Sequence, residues 1–162
     1  MSNKKYTREK IIEIIDSIRL MGLFDIFEKY EICGSYRRNK DLIGDLDIVA
    51  ICDVNLFEKF AKDNNILIKA TPFGKKFLID DVKVDIFFAN KNNFYLNVLF
   101  WTGPYHSNSR LVAMYYAKGY RLTQKMISSL GSKIKLTDKF YFDEQSIFSF
   151  IGEDYVPPEK RE

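Results

Sequence analysis

The stretch CGSYRRNKDLIGDLDIVAI, residues 33–51, decides how this chain reads. Its second half runs into GDLDIVAIC (44–52), which has the apolar, β-branched character of a core strand yet carries Asp45 and Asp47. Acids are depleted in strand interiors, and a buried carboxylate is costly unless paired or bound to metal. Alternate strand residues share a face, so Asp45 and Asp47 project to the same side. A third acid, Asp85, interrupts a second apolar run, VKVDIFFA (82–89). If the two runs are neighbouring strands, three carboxylates converge on one patch and repel unless a cation sits among them. An all-oxygen donor set suits Mg2+. Two such ions ~3.5–4 Å apart would clamp the attacking and leaving oxygens of a phosphoryl transfer. A DxD pair by itself is equally a pair of solvated strand-end acids, so the upstream residues carry the distinction.

Gly34 and Ser35 lie just ahead of Arg37 and Arg38 and ten to thirteen residues before Asp45 and Asp47. Glycine admits close approach to the backbone. A hydroxyl, exposed N–H groups and an arginine together make an anion cradle. An anion site and a cation site on consecutive segments are what a metal-bound triphosphate requires.

The chain has 162 residues, 46% of them hydrophobic, with 14 Phe and 10 Tyr, which is enough for one aromatic-rich core. A net charge of +3 does not by itself demand a nucleic-acid partner. One histidine and two cysteines, Cys33 and Cys52, argue against a Cys/His zinc site and suit a reducing, intracellular compartment. No apolar run is long enough to span a membrane, and the N-terminus lacks a signal-peptide core.

Periodicity and caps predict a helix over 7–22, capped by Thr7 and stopped by Gly22. A short helical segment at 23–30, extended chain at 31–36, a strand at 44–52 and a helix over 55–65 begun at Asn55 follow. A strand at 66–70 and a hairpin over 75–89, turning near Asp80 and Asp81, come next. Helices are expected at 91–103, at 107–120 and, opened by Asp143, at 142–152, with a strand at 133–136. The tail YVPPEKRE is expected to be irregular because of its prolines. The fold class is α+β, with a mixed sheet in front, a helical rear lobe and a seam near 90–103.

The series GSYRR, GDLD and KVDIF resembles the nucleotidyltransferase palm, and more closely that of family X DNA polymerases. The resemblance extends to Phe100-Trp101-Thr102-Gly103, Pro104, Asn108, AKGY (117–120) and the ending Tyr155, Pro158, Arg161, covering about 31–161. It implies a palm over 1–100, with mixed β-sheet and helices, and a small, mostly helical C-terminal nucleotide-selection subdomain over 101–162. About 30 residues precede Gly34, so no N-terminal lyase domain is expected, as in the minimal polymerases X of large DNA viruses.

Carried over residue by residue, the resemblance implies that Asp45 and Asp47 hold two Mg2+ ions, for which Mn2+ can substitute. Asp85 would complete the catalytic metal site. Gly34, Ser35, Arg38 and Gly44 would receive the dNTP phosphates. Phe100, Trp101 and Gly103 would meet the sugar, and Asn108 the base. Lys83, Arg110, Arg121 and Lys125 would contact gapped or primer-template DNA. Phe100 stands where tyrosine is usual, and Val112 where many relatives have arginine, which implies low fidelity. The implied protein is a monomer acting in DNA repair, without a membrane partner, in the host cytoplasm or viral factory. The same palm also serves enzymes that add nucleotides to RNA ends or small molecules, and a non-catalytic nucleotide-binding module is a third reading.

Overall fold

Residues 4–131 and 143–161 are described by the computed structural model. The two acid-bearing runs lie side by side at the centre of one sheet. The chain begins with the two-residue strand β1 (Tyr6–Thr7) and helix α1 (Arg8–Leu20). Thr7 Oγ1 accepts from the Lys10 N–H, and Gly22 leaves the helix at φ 81°. A 3-10 turn (Leu23–Ile26) leads to β2 (Lys29–Ile32), the one-turn helix α2 (Gly34–Arg37), β3 (Leu42–Ile43), β4 (Leu46–Ile51) and α3 (Val54–Asp63). Then come β5 (Lys69–Thr71), β6 (Gly74–Ile79) and β7 (Val82–Ala89).

The main sheet has the order β2-β4-β7-β6-β5, with β4 and β7 parallel and the other pairs antiparallel. Parallel neighbours need a long crossover, supplied here by α3, β5 and β6. Period-two alternation then divides the sheet. Leu46, Ile48, Ala50, Val84, Ile86 and Phe77 form one face, packed with Ile11, Ile14 and Ile18 of α1 and Phe57 of α3. Val49 and Phe87 face the other way and pack with Cys33, Phe94 and Val98. The latter two lie on α4 (Phe94–Thr102).

Helix α4 is apolar nearly all round because it is buried on two sides. Its Leu96 and Leu99 belong to a second core with Leu111 and Tyr115 of α5 (Tyr105–Ala117) and Ile147 and Phe148 of α6 (Glu144–Ser149). Leu122 and Ile127 complete that core from the small hairpin β8 (Tyr120–Leu122) and β9 (Ile127–Ser129). Asp143 opens α6 in a capping box, accepting from the Ser146 N–H at 2.7 Å. The result is the expected α+β fold, a mixed sheet flanked by helices with a second, smaller lobe behind it.

Several local expectations are corrected. Residues 31–36 are not all extended: the strand stops at Ile32 and GSYR closes a helical turn, with Arg37 N–H donating to the Cys33 carbonyl at 3.2 Å. Only Leu23–Ile26 of 23–30 is helical, since Phe24 stacks on Tyr30 at 4.4 Å and the chain then joins the sheet. Asp53, not Asn55, caps α3, accepting from the Asn55 N–H at 2.8 Å. The strand expected at 66–70 starts at Lys69 and is paired with β6, so the expected hairpin is a three-stranded meander. The β8–β9 hairpin was not expected, and the tail contains a 3-10 turn at Pro158–Lys160, where proline suits a helix start. The strand expected at 133–136 lies outside the described residues.

Asp80 and Asp81 make the β6–β7 turn at φ 46° and 65°, the left-handed region that short polar side chains tolerate. At the other end of β6, a Cβ on Gly74 would lie 1.9 Å from the Ile86 carbonyl oxygen. That close approach of two backbones admits only glycine. Gly74→Ala is therefore expected to lower the unfolding free energy by about 2 kcal/mol or more, read as a fall in denaturation midpoint.

Candidate active site

The parallel register of β4 and β7 sets Asp47 directly opposite Asp85. Asp45 lies two residues before Asp47, just ahead of β4. Each of the three residues offers a carboxylate oxygen, all within 4.8 Å of one another. Lys83, two residues before Asp85 on the same face, reaches Asp45 at 2.7 Å and Asp85 at 3.3 Å. The hydrogen bond to Asp45 is the main reason its ammonium is raised above the ordinary lysine value.

Asp47 bears the cost of this arrangement. Burial, with Asp45 and Asp85 adding repulsion, pushes its carboxyl up to about 7, against the weaker pull of Lys83 and Arg38. Three oxygen donors with nothing softer among them fit a hard divalent cation. Gly34 closes the site from below. Its φ is 61°, and a Cβ there would lie 2.1 Å from Asp47 Oδ2. The glycine is required both by the turn and by the carboxylate resting against it.

Ser35, Arg38 and Gly44 line one recess together with Lys5, Lys40 and Asp41. No atom of the described residues would meet a Cβ on Gly44 within 4 Å, so its backbone has room beside it for a ligand. Lys5 was not singled out from the sequence. It arrives because β1 pairs with β3, in a register that matches Tyr6 with Ile43. Arg38 donates to the Thr102 carbonyl, and its Nε is buried without an acceptor among the described residues. Burial lowers its guanidinium below the ordinary value; Asp47 opposes that and Arg161 adds to it.

The residues expected around the sugar and base divide into two groups. Phe100 and Asn108 share a groove with Tyr105, Val112 and Tyr116, and the Asn108 amide donates to the Phe100 carbonyl at 2.8 Å. Trp101 lies elsewhere: its ring stacks on Phe87 of β7 at 3.5 Å, with Phe73 edge-on at 5.6 Å. Gly103 is buried against Arg38, whose Nη1 lies 3.4 Å from where a Cβ would be. Arg110 occupies a different face of α5 from Asn108 and Val112, in a depression it shares with Glu153 and Asp154. Arg121 and Lys125 are exposed, on β8 and in the β8–β9 turn.

The strongest contact missed from the sequence involves Arg37. Its guanidinium bonds Glu31 at 3.2 Å, the Thr102 hydroxyl at 3.0 Å and the buried Glu144 of α6. Arg161, 2% exposed, reaches the other Glu144 oxygen at 3.0 Å as an ion contact without hydrogen-bond alignment, and donates from Nε to Val156. The turn holding Gly34 and Ser35 is thus fixed by a carboxylate 107 residues away in sequence from Arg37. No local pattern marks that pairing. On the opposite side Arg8 lies over the Tyr36 ring at 4.2 Å and bonds the Tyr36 carbonyl.

Residues 97–162 match the family model described as DNA polymerase beta thumb. The match supports a family X polymerase-like protein and implies DNA binding. No helix among the described residues is long and apolar enough to cross a membrane.

Two predictions follow from this geometry. Asp47 is raised in the folded state, so its contribution to stability is present below its ordinary value of 3.8 and lost as pH rises through about 7. In EDTA at pH 8, Asp47→Asn should melt about 3 °C or more above wild type, with little difference at acid pH where both groups are neutral. Glu144→Gln leaves the buried Arg161 and the half-buried Arg37 without their shared counter-charge. It should lower the melting temperature by about 6 °C or more in a thermal scan.

Proposed function

We propose that this protein is a DNA-directed DNA polymerase of the family X type, adding dNTPs to a primer 3′-hydroxyl at short gaps. The observation that carries the reading is the Asp47–Asp85 register. It gathers three carboxylates within 4.8 Å, and Gly34 and Arg38 link them to the recess of Ser35 and Gly44. The thumb match over 97–162 favours a nucleic-acid primer over a small acceptor.

The catalytic part is assigned to residues 1–100 and nucleotide selection to 101–162. Asp45, Asp47 and Asp85 hold two Mg2+ ions, with Mn2+ able to replace them. Bound there, the ions would lower the pKa of the attacking hydroxyl and offset charge on the phosphoryl oxygens. Everything else is positioning, which is most of what phosphoryl transfer needs from a protein.

Ser35, Arg38 and the open backbone at Gly44 receive the β- and γ-phosphates, with Lys5 and Lys40 adding charge at the rim. The hydroxyl attacks the α-phosphate, the bond to the bridging oxygen breaks, and pyrophosphate leaves toward that recess. Asp85 takes the side facing the primer, where its carboxylate helps activate the hydroxyl. Phe100 and Asn108 offer a surface to the sugar and base, and Val112 in the same groove supplies no hydrogen bond to a template base. Low fidelity, a monomeric state, an intracellular role in DNA repair and kinship with the minimal viral enzymes complete the proposal.

Primer extension on a duplex with a one-nucleotide gap, in Mg2+, tests the reading. Wild type is expected to incorporate dNTP, and Asp85→Ala to lose about a thousandfold or more in rate while melting normally. Labelling of RNA ends or a small acceptor, with no addition to gapped DNA, would show the other nucleotidyltransferase reading to be correct.

A further inference from the structure

The half of the catalytic sheet face not covered by α4 carries its own feature. Register places Lys76 of β6 opposite Asp85, and Lys69 of β5 opposite Lys76. With Lys83 they form a row of cations on the face that bears Asp85, running from the acids to the open edge of the sheet. The row borders a depression of about 270 Å³, to which Leu67 and Leu78 contribute although 80% and 65% exposed.

Neither Lys69 nor Lys76 has a carboxylate within ion-pair distance among the described residues. Lys75 is different: it points to the helix side of the sheet and pairs with Glu58 at 2.6 Å. Like charges directly opposite on adjacent strands destabilise a sheet. An edge lysine alone serves to keep an open strand from pairing with another chain. That accounts for Lys69 but not for Lys76, which lies on an inner strand.

Resting on the polymerase reading above, we propose that Lys69, Lys76 and Lys83 form the track for the sugar-phosphate backbone of the strand whose 3′-hydroxyl attacks. Two lysines without a carboxylate partner among the described residues, in line with Lys83 and beside exposed leucines, match a strand that is anionic at its phosphates and apolar at its sugars. The row ends at Asp85, where the hydroxyl must arrive. Lys83 bonds Asp45 and Asp85 and so joins the track to the acids.

The test is DNA binding without catalysis: anisotropy of a labelled primer-template in EDTA, without dNTP, over a range of salt. The Lys69→Ala/Lys76→Ala variant should bind about tenfold more weakly at ~0.1 M salt, with the slope of log K against log salt reduced by about 2. Lys75→Ala, which removes one lysine from the opposite face, should change affinity less than about twofold, against about threefold for Lys69→Ala or Lys76→Ala alone. Lys69→Arg/Lys76→Arg should retain wild-type binding, which separates lost charge from lost fold. Methylphosphonates at the phosphates nearest the primer 3′ end should weaken wild type and add nothing to the double alanine variant.

Unchanged affinity and slope, or full additivity with the primer methylphosphonates, would overturn the track. So would non-additivity with template-strand methylphosphonates instead. Because the assay needs no turnover, a protein that binds DNA through these lysines yet incorporates no nucleotide would refute the polymerase reading alone.

Discussion

Two carboxylates facing each other across parallel strands are the constraint around which this molecule is built. Asp47 and Asp85 share a register position, and a third acid stands two residues away. Such an arrangement opposes folding unless something else holds the strands together. Here the opposite face of the same strands does so, through Ile48, Ala50, Val84 and Ile86, all completely buried against α1 and α3. The price is concentrated on one group, Asp47, and is limited by Lys83 and Arg38. Gly34 follows from the same constraint, because any side chain there would occupy the space of the Asp47 carboxylate.

Much of this was legible in the sequence because strands obey a short period. Alternation alone puts Asp45 and Asp47 on one side, and polar residues at Asp80 and Asp81 mark the turn that brings Asp85 back. Caps at Thr7 and Asp143 were equally local and equally readable. GSYR was less readable: glycine and serine after a strand suit several turns, and the helical one is selected by Arg37 and its distant partners. The start of β5 was misplaced because ILIKA is apolar enough for a strand, while pairing with β6 picks out only Lys69–Thr71.

The candidate site shows the same division. Residues adjacent in the sheet could be assembled from the sequence; those joined by tertiary contacts could not. Lys5 reaches the Ser35 recess through a two-residue strand pair that leaves almost no periodic signal. Trp101 and Phe100 are neighbours in sequence but 100° apart around a helix, so one stacks on the sheet and the other lines the α5 groove. Identical reasoning about Lys75 and Lys76 separates a lysine tied to α3 from one on the face that bears Asp85.

Helix α4 has one face on the acid-bearing side of the sheet and another in the core of the far lobe, and the Arg37, Glu144 and Arg161 cluster joins the GSYRR turn to that lobe. That cluster bears on the order of events as the chain is made. A protein emerging from the ribosome can pair its sheet and gather its carboxylates early. The GSYRR turn, however, stays half specified until Glu144 and Arg161 have been synthesised and have closed onto it. The sheet thus precedes the turn beside it, and a partly translated chain holds that turn less firmly than the finished one.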